Sequence, residues 1–151
     1  MSHHVAILGA GKIGRMTAHF LASCGDYTVR IGDAHEPSAL AVARDERIDG
    51  RRVDFSSATE LAAFLKGAWA VVSCAPFNCN VGIAQAAKDA GCHYLDLTED
   101  VAVTKKVMEL AKGAKTAFIP QCGLAPGYIT IAANHLAKPM SQIHELRCRV
   151  G

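Results

Sequence analysis

The sequence lacks the features that mark several large classes of protein. Its six cysteines, at 24, 74, 79, 92, 122 and 148, include no Cys-x-x-Cys pair and no cysteine and histidine cluster of zinc-finger spacing. Neither a disulfide scaffold nor a metal site is therefore expected. An excess of one charge is also missing. Sixteen Lys and Arg against 14 Asp and Glu leave +2, too little for a field that grips nucleic acid or anionic lipid. Two stretches, 67–87 and 116–134, contain no Asp, Glu, Lys or Arg. Their length raises the question of a membrane span, but the Pro, Gly, Asn and Gln within them argue against one. No basic segment leads into an unbroken apolar core at the start, so no signal peptide is expected. These absences leave a cytoplasmic protein with buried, reduced thiols that handles a small molecule.

Half of the 151 residues are hydrophobic, and a chain of this size buries about 70% of its unfolded surface, enough for one self-sufficient core. Short apolar runs alternate with helix-period segments from end to end, the sign of repeated strand-helix units and a parallel sheet. Strands are expected at Val5 to Leu8, Tyr27 to Gly32, Arg51 to Asp54, Trp69 to Cys74, His93 to Leu97 and Thr116 to Pro120. Helices are expected at 12–24, 36–46, 58–66 and 80–90, then after Asp100 and from Tyr128 to a stop at Pro139. The first helix places Ile13, Met16, Thr17, Phe20, Leu21 and Cys24 on one face, and the last places Tyr128, Ile131, Ala132, His135 and Leu136 at core spacing. The pattern is that of a doubly wound parallel sheet of six strands in the order 3-2-1-4-5-6. It assigns residues 1–140 to one domain. Residues 141–151 alternate Leu146, Cys148 and Val150 with Arg147 and Arg149, a half-buried strand leading towards a further substrate domain absent from the chain. An edge strand added to the main sheet is the alternative.

The chemistry begins at "GAGKIG", residues 9–14. It follows a strand and opens a helix, which raises a weak Gly-x-Gly-x-x-Gly signal. Gly9 permits the tight turn, Gly11 lets backbone approach a pyrophosphate, and Gly14 lets helix and strand pack closely. The phosphates then meet free N–H groups around Ala10, Lys12 and Ile13. Asp33, with Ala34 after it, sits about 20 residues on, where a carboxylate accepts from the adenosine ribose and repels a 2′-phosphate. It favours NAD. Arg30, Arg44 and Arg47 keep NADP open.

Other candidates carry two readings each. Asp54 is an adenine-edge contact or a solvated strand end. Cys74, Ala75 and Pro76 lie along the cofactor or form a proline turn. Asp96 is a weak candidate for a substrate-side catalytic acid, or a cap of the next helix. "QCGLAPGY", residues 121–128, aims backbone donors at the nicotinamide end or is a plain connection. Within it, Cys122 is a nucleophile only in principle, and a small buried neighbour of the nicotinamide otherwise. The seven histidines, His19 and His135 among them, lack metal-ligand spacing.

Taken together, "VAILGAGKIG" with Asp33, "VVSCAPF", "HYLDLTED" and "IPQCGLAPG" resemble the N-terminal NAD(P)-binding domain of the saccharopine dehydrogenase family, lysine dehydrogenase-like members included. The resemblance implies an amino-acid dehydrogenase, in which NAD(P) takes a hydride from a carbon bearing an amine and water hydrolyses the imine. It implies cofactor contacts at Gly9, Gly11, Lys12, Ile13, Gly14, Asp33, Asp54, Cys74, Ala75 and Pro76, with Cys122 and Gly123 near the nicotinamide. It further implies a mixed α/β second domain that supplies most substrate contacts and a homodimer interface. Two other classes stay open: a non-catalytic NAD-sensing regulatory module, and a methyltransferase-like fold.

Overall fold

The computed structural model describes residues 2–150. Met1, the start of the expected 1–140 domain, and Gly151, the end of the expected last strand, lie outside the described residues. Six strands alternate with six helices: β1 (His3–Leu8), α1 (Lys12–Ser23), β2 (Tyr27–Asp33), α2 (Glu36–Val42), β3 (Ile48–Arg52), α3 (Ala58–Leu65), β4 (Ala70–Ser73), α4 (Asn80–Ala90), β5 (His93–Asp96), α5 (Val101–Ala111), β6 (Phe118–Ile119) and α6 (Tyr128–Ala137). The strands form one sheet, ordered β3-β2-β1-β4-β5-β6, with every neighbouring pair parallel. This is the doubly wound order expected from the alternation of periods. Register brings Gly32, Leu8, Ser73 and Asp96 into one row at the carboxyl edge.

Successive side chains of a strand point to opposite faces, and β1 feeds both halves of the core. Ala6 and Leu8 join Leu61, Val71, Ile83 and Tyr94 under α3, α4 and α5. Val5 and Ile7 join Ala18, Val29, Ile31 and Val42 under α1 and α2. A strand covered on both faces reads as an unbroken apolar run, which is why β1 and β4 were the most legible strands.

Several boundaries and faces differ from expectation. β3 starts at Ile48 and ends at Arg52, so Asp54 lies beyond it, in a turn. α2 stops at Val42. The buried face of α1 is Gly14, Ala18 and Ala22, whereas Ile13, Met16 and Phe20 are exposed. Small residues let this helix descend onto the sheet, and that close approach turns its largest side chains outward. Residues 141–150, where a half-buried strand is expected, form no strand and are exposed throughout, and the sheet of the described residues ends at β6. α6 forms as expected, yet none of its residues is buried. Its periodic apolar face has no partner among the described residues. The cysteines are all free, but only Cys92 is buried, and Cys24, Cys122 and Cys148 are exposed. The expectation of uniformly buried thiols is corrected, because three of them fall on turns or the C-terminal segment rather than on core faces.

His4 gives the fold a pH dependence. Its Nδ1 lies 3.0 Å from Thr28 Oγ1, and its Nε2 is buried without a partner. Burial, then the Arg30 guanidinium, holds the imidazole below its ordinary value of 6.5. As pH falls through 6.5 the unfolded chain takes up this proton before the folded one, so stability is lost on that side and regained above it. Urea unfolding at about pH 7.5 and about pH 5.5 is expected to show a larger loss for the wild type than for His4→Gln. Equal losses would contradict this role.

Candidate functional site

β1 leaves the sheet at Leu8, and three glycines then do three different things. Gly9 has φ +103, and its N–H donates to the Gly32 carbonyl at 2.7 Å. A Cβ there would lie 2.5 Å from the Cys74 carbonyl oxygen, so glycine is required where the loop crosses the exit of β4. A Cβ on Gly14 would collide with the Gly9 carbonyl oxygen, which explains the close seating of α1. Gly11 is different. Its φ is −68, which any residue adopts, and a Cβ there would meet nothing within 4 Å. The fold does not need a glycine at that position.

Gly11 is also the N-cap of α1, and the helix start carries neither a side-chain cap nor an acid in its first turn. The N–H groups of Gly11, Lys12, Ile13 and Gly14 have no acceptor among the described residues. A helix end in this state presents free donors and roughly +0.5 of a charge, a ready-made anion site.

Asp33, the last residue of β2, holds this loop. Its Oδ2 accepts from Ala10 N–H at 2.6 Å and its Oδ1 from His35 N–H at 2.8 Å. A carboxylate has about four lone-pair sites, so two remain for ligand hydroxyls. Ala34 beside it is exposed. Two of the arginines that kept NADP open are engaged elsewhere. Arg30 donates to the Phe64 carbonyl at 2.6 Å, and Arg47 grips Asp45 with Nε and Nη2 at 2.8 and 2.7 Å. Asp54 spends Oδ1 on the Ser56 N–H and hydroxyl, at 2.9 and 2.7 Å. Those bonds hold its carboxyl below the usual range and give it the character of a turn residue.

On the other side of α1, a cleft of about 750 Å³ opens at the carboxyl ends of β4 and β5. Ile13, Cys74 and Ala75 line it, as do Phe77, Leu97, Thr98 and Glu99. Pro76 stays outside the lining and caps the 3-10 turn Phe77–Cys79. The Cys74 thiol is pushed up to about 11 by burial, against a smaller opposing hydrogen bond from Thr17, which makes it an inert wall. Phe77, Leu97, Thr98 and Glu99 escaped sequence reasoning. The available signal was position alone: each follows the last residue of a strand at the edge where ligands of such sheets bind.

Asp96 does not open into this cleft. It is fully buried, with Oδ2 accepting from the Tyr94 hydroxyl at 2.8 Å and Oδ1 from the N–H groups of Thr98 and Gln121 at 3.0 and 3.1 Å. Burial, then the Asp96 charge, pushes the Tyr94 hydroxyl well above its ordinary range. The cap of α5 is Asp100, which accepts from Val103 N–H at 2.8 Å, so Asp96 is not the helix cap. Its main-chain carbonyl accepts from Cys122 N–H at 2.7 Å, and a Cβ on Gly123 would lie 3.2 Å from the Leu97 carbonyl oxygen. The 121–127 loop is thereby folded onto the end of β5. Cys122 itself is exposed rather than buried, donates from Sγ to the Ile119 carbonyl at 3.1 Å, and lies outside the cleft lining with Gly123. Partial desolvation of the thiol under the loop, then the Asp96 charge, raises it, the opposite of what a nucleophile needs.

The family model of the saccharopine dehydrogenase NADP binding domain matches residues 5–119. The chain belongs to this family. Among solved structures it resembles the apo saccharopine dehydrogenase (L-Glu forming) of Saccharomyces cerevisiae, with TM-score 0.81, 17% identity, and coverage of 91% of this chain and 31% of that one. A putative myo-inositol dehydrogenase of Sinorhizobium meliloti follows with TM-score 0.71, 18% identity, and coverage of 91% and 41%. GenD2 from gentamicin A biosynthesis, in complex with NAD, gives TM-score 0.68, 18% identity, and coverage of 90% and 39%. These likenesses are of fold, and the chain spans less than half the length of each of the three.

As a member of the saccharopine dehydrogenase NADP-binding family, the chain is an NAD(P)-binding domain of Rossmann type. Its residues fit that group: free donors at α1 for the phosphates, an open position at Gly11, and spare acceptor capacity on Asp33. The two glycines separate structure from binding. Gly14→Ala is expected to destabilise by about 1–3 kcal/mol through overpacking against Gly9. Gly11→Ala should change stability by less than about 1 kcal/mol yet weaken dinucleotide binding by about tenfold. Thermal melts and titration calorimetry on both variants check the contrast, and a large stability loss from Gly11→Ala would contradict it.

Proposed function

We propose that this chain is the cofactor-binding domain of an oxidoreductase that moves a hydride between a nicotinamide dinucleotide and the amine-bearing carbon of an amino acid or its imine, with NAD favoured over NADP. The observation that carries the reading is Asp33, which shapes the glycine loop with one oxygen and keeps lone pairs free beside it. The bound dinucleotide supplies the hydride chemistry. The protein's own part is to bind it, aim its ring and keep water away. The preference for NAD rests on the fixed negative charge of Asp33 and on Arg30 and Arg47 being engaged elsewhere.

The substrate class is supported by the charge of the cleft. Its lining includes the carboxylates of Glu99 and Asp100 and no Lys, Arg or His. Asp100 is spent on capping, whereas Glu99 is exposed and makes no hydrogen bond among the described residues. An ammonium group is better received there than an anion. Asp96 is assigned a positioning role, joining β5 to the 121–127 loop, and Cys122 a backbone role. The general base comes from outside these residues.

We also assign the apolar face of α6 to an interface with a second, mixed α/β domain that carries the dimer contact. Tyr128, Ile131 and Leu136 are 65–69% exposed. By alternation with buried Tyr94 and half-buried Phe118, Leu95 and Ile119 face the open side of the sheet. Exposed apolar surface on this scale marks an interaction site. Free cysteines, three of them exposed, support a reducing compartment and hence the cytoplasm. No helix among the described residues is long and apolar enough to cross a membrane.

Titration of the chain with NADH and NADPH tests the cofactor assignment. NADH is expected to bind more tightly, and Asp33→Ser is expected to weaken it by about tenfold or more, the worth of hydrogen bonds to a charged acceptor, while narrowing the gap to NADPH. No binding tighter than about 1 mM for either would overturn the assignment. An unchanged preference in the variant would remove the ribose role of Asp33.

A further inference from the structure

We propose that Asn80 fixes the nicotinamide end of the dinucleotide by donating from its side-chain amide to the carboxamide oxygen of that ring. The inference rests on the dinucleotide reading above and names a residue that the glycine motif does not reach. Asn80 opens α4, lines the cleft and is 1% exposed. Buried polar atoms in folded proteins find partners almost without exception, so each of its polar atoms can be accounted for. Oδ1 accepts from the Ser73 hydroxyl at 2.7 Å, and the main-chain carbonyl lies 3.4 Å from the Tyr94 hydroxyl. Nδ2, with two hydrogens to give, has no acceptor among the described residues and is not one of the sealed, unpartnered atoms of the core, so what little surface Asn80 exposes includes this donor.

Ser73 anchors this arrangement. It is the last residue of β4, 1% exposed, and held in register between Leu8 and Asp96. With its hydroxyl donating to Oδ1, the NH2 is the half of the amide left for a ligand. The acceptor it suits is neutral. No cationic side chain lines the cleft, and Glu99 and Asp100 stand in its wall, so a carboxylate or phosphate is repelled where a carboxamide oxygen is not. The half of the dinucleotide follows from position. Asp33 takes the adenosine ribose on the β2 side, the phosphates meet the first turn of α1, and Ile13 of that turn lines the cleft on the β4 side. A dinucleotide crossing the sheet at the point where strand order reverses places its second half there.

Asn80→Asp keeps an acceptor for Ser73 and removes the NH2. Titration calorimetry of the 151-residue chain with NADH and with ADP-ribose, which lacks the nicotinamide, reads the difference. The variant is expected to lose about 3- to 10-fold more affinity for NADH than for ADP-ribose. Ser73→Ala, which frees the amide to turn, is expected to lose in the same selective direction by less, and carries the test by the same criterion if Asn80→Asp does not fold. Equal weakening of both ligands, or of neither, overturns the role of Asn80 while leaving the dinucleotide site in place. Failure of the wild-type chain to bind either ligand overturns the dinucleotide reading and this inference with it.

Discussion

The hydrogen bond from Ala10 N–H to the Asp33 carboxylate, 2.6 Å long, is the constraint on which the site depends. It ties the loop after β1 to the end of β2, the neighbouring strand, and so fixes the approach of the chain into α1. The same loop is pinned from the other side, where Gly9 lies against the Cys74 carbonyl and Gly14 lies under Gly9. With backbone held by β2 and β4, the first turn of α1 keeps four donors free without a capping side chain. Leaving such donors bare stabilises nothing in the fold itself. It is a cost accepted at positions where an anion is to be bound.

A second polar assembly organises the opposite half of the carboxyl edge. Asp96, Tyr94 and the N–H groups of Thr98 and Gln121 close on one another in the core, and Ser73 with Asn80 forms a pair next to them. The closed bonds around Asp96, in a low-dielectric interior, make that part of the assembly rigid. Two loops and the mouth of the cleft are thereby built on fixed groups. Of the three binding elements, β2 and β4 are the strands that neighbour β1 on either side and α1 is the helix that follows it, which is how one glycine motif places chemistry on both sides of itself.

How much of this was legible follows from which physical quantity each feature depends on. Strand order was legible because β1 and β4 are covered on both faces and read as unbroken apolar runs, and because crossovers of alternating periods leave few topologies. Asp33 was legible because spacing along one strand-helix-strand unit fixes its place. The buried face of α1 was misread, since hydrophobic size pointed to Ile13, Met16 and Phe20 while contact distance selected Gly14, Ala18 and Ala22. α6 shows the converse: its period is regular but its partner is not among the described residues. Asp96 carries the chemistry of a catalytic acid, and only three-dimensional bonding shows its oxygens occupied. Ser73 and Asn80 were invisible as a pair, because the six residues between them fold back through a 3-10 turn that no local pattern announces.

If the first turn of α1, shaped by Asp33, is where a dinucleotide binds, the amides of that turn report it. Amide chemical-shift mapping of the 15N-labelled chain during titration with NADH tests it most directly. The largest changes are expected at Gly11, Lys12, Ile13 and Gly14, extending to the residues after β4 and β5. Changes centred instead on the groove between α3 and α4, lined by Ala62, Lys66, Gly82 and Ala86, or no change at the glycine loop, would contradict it.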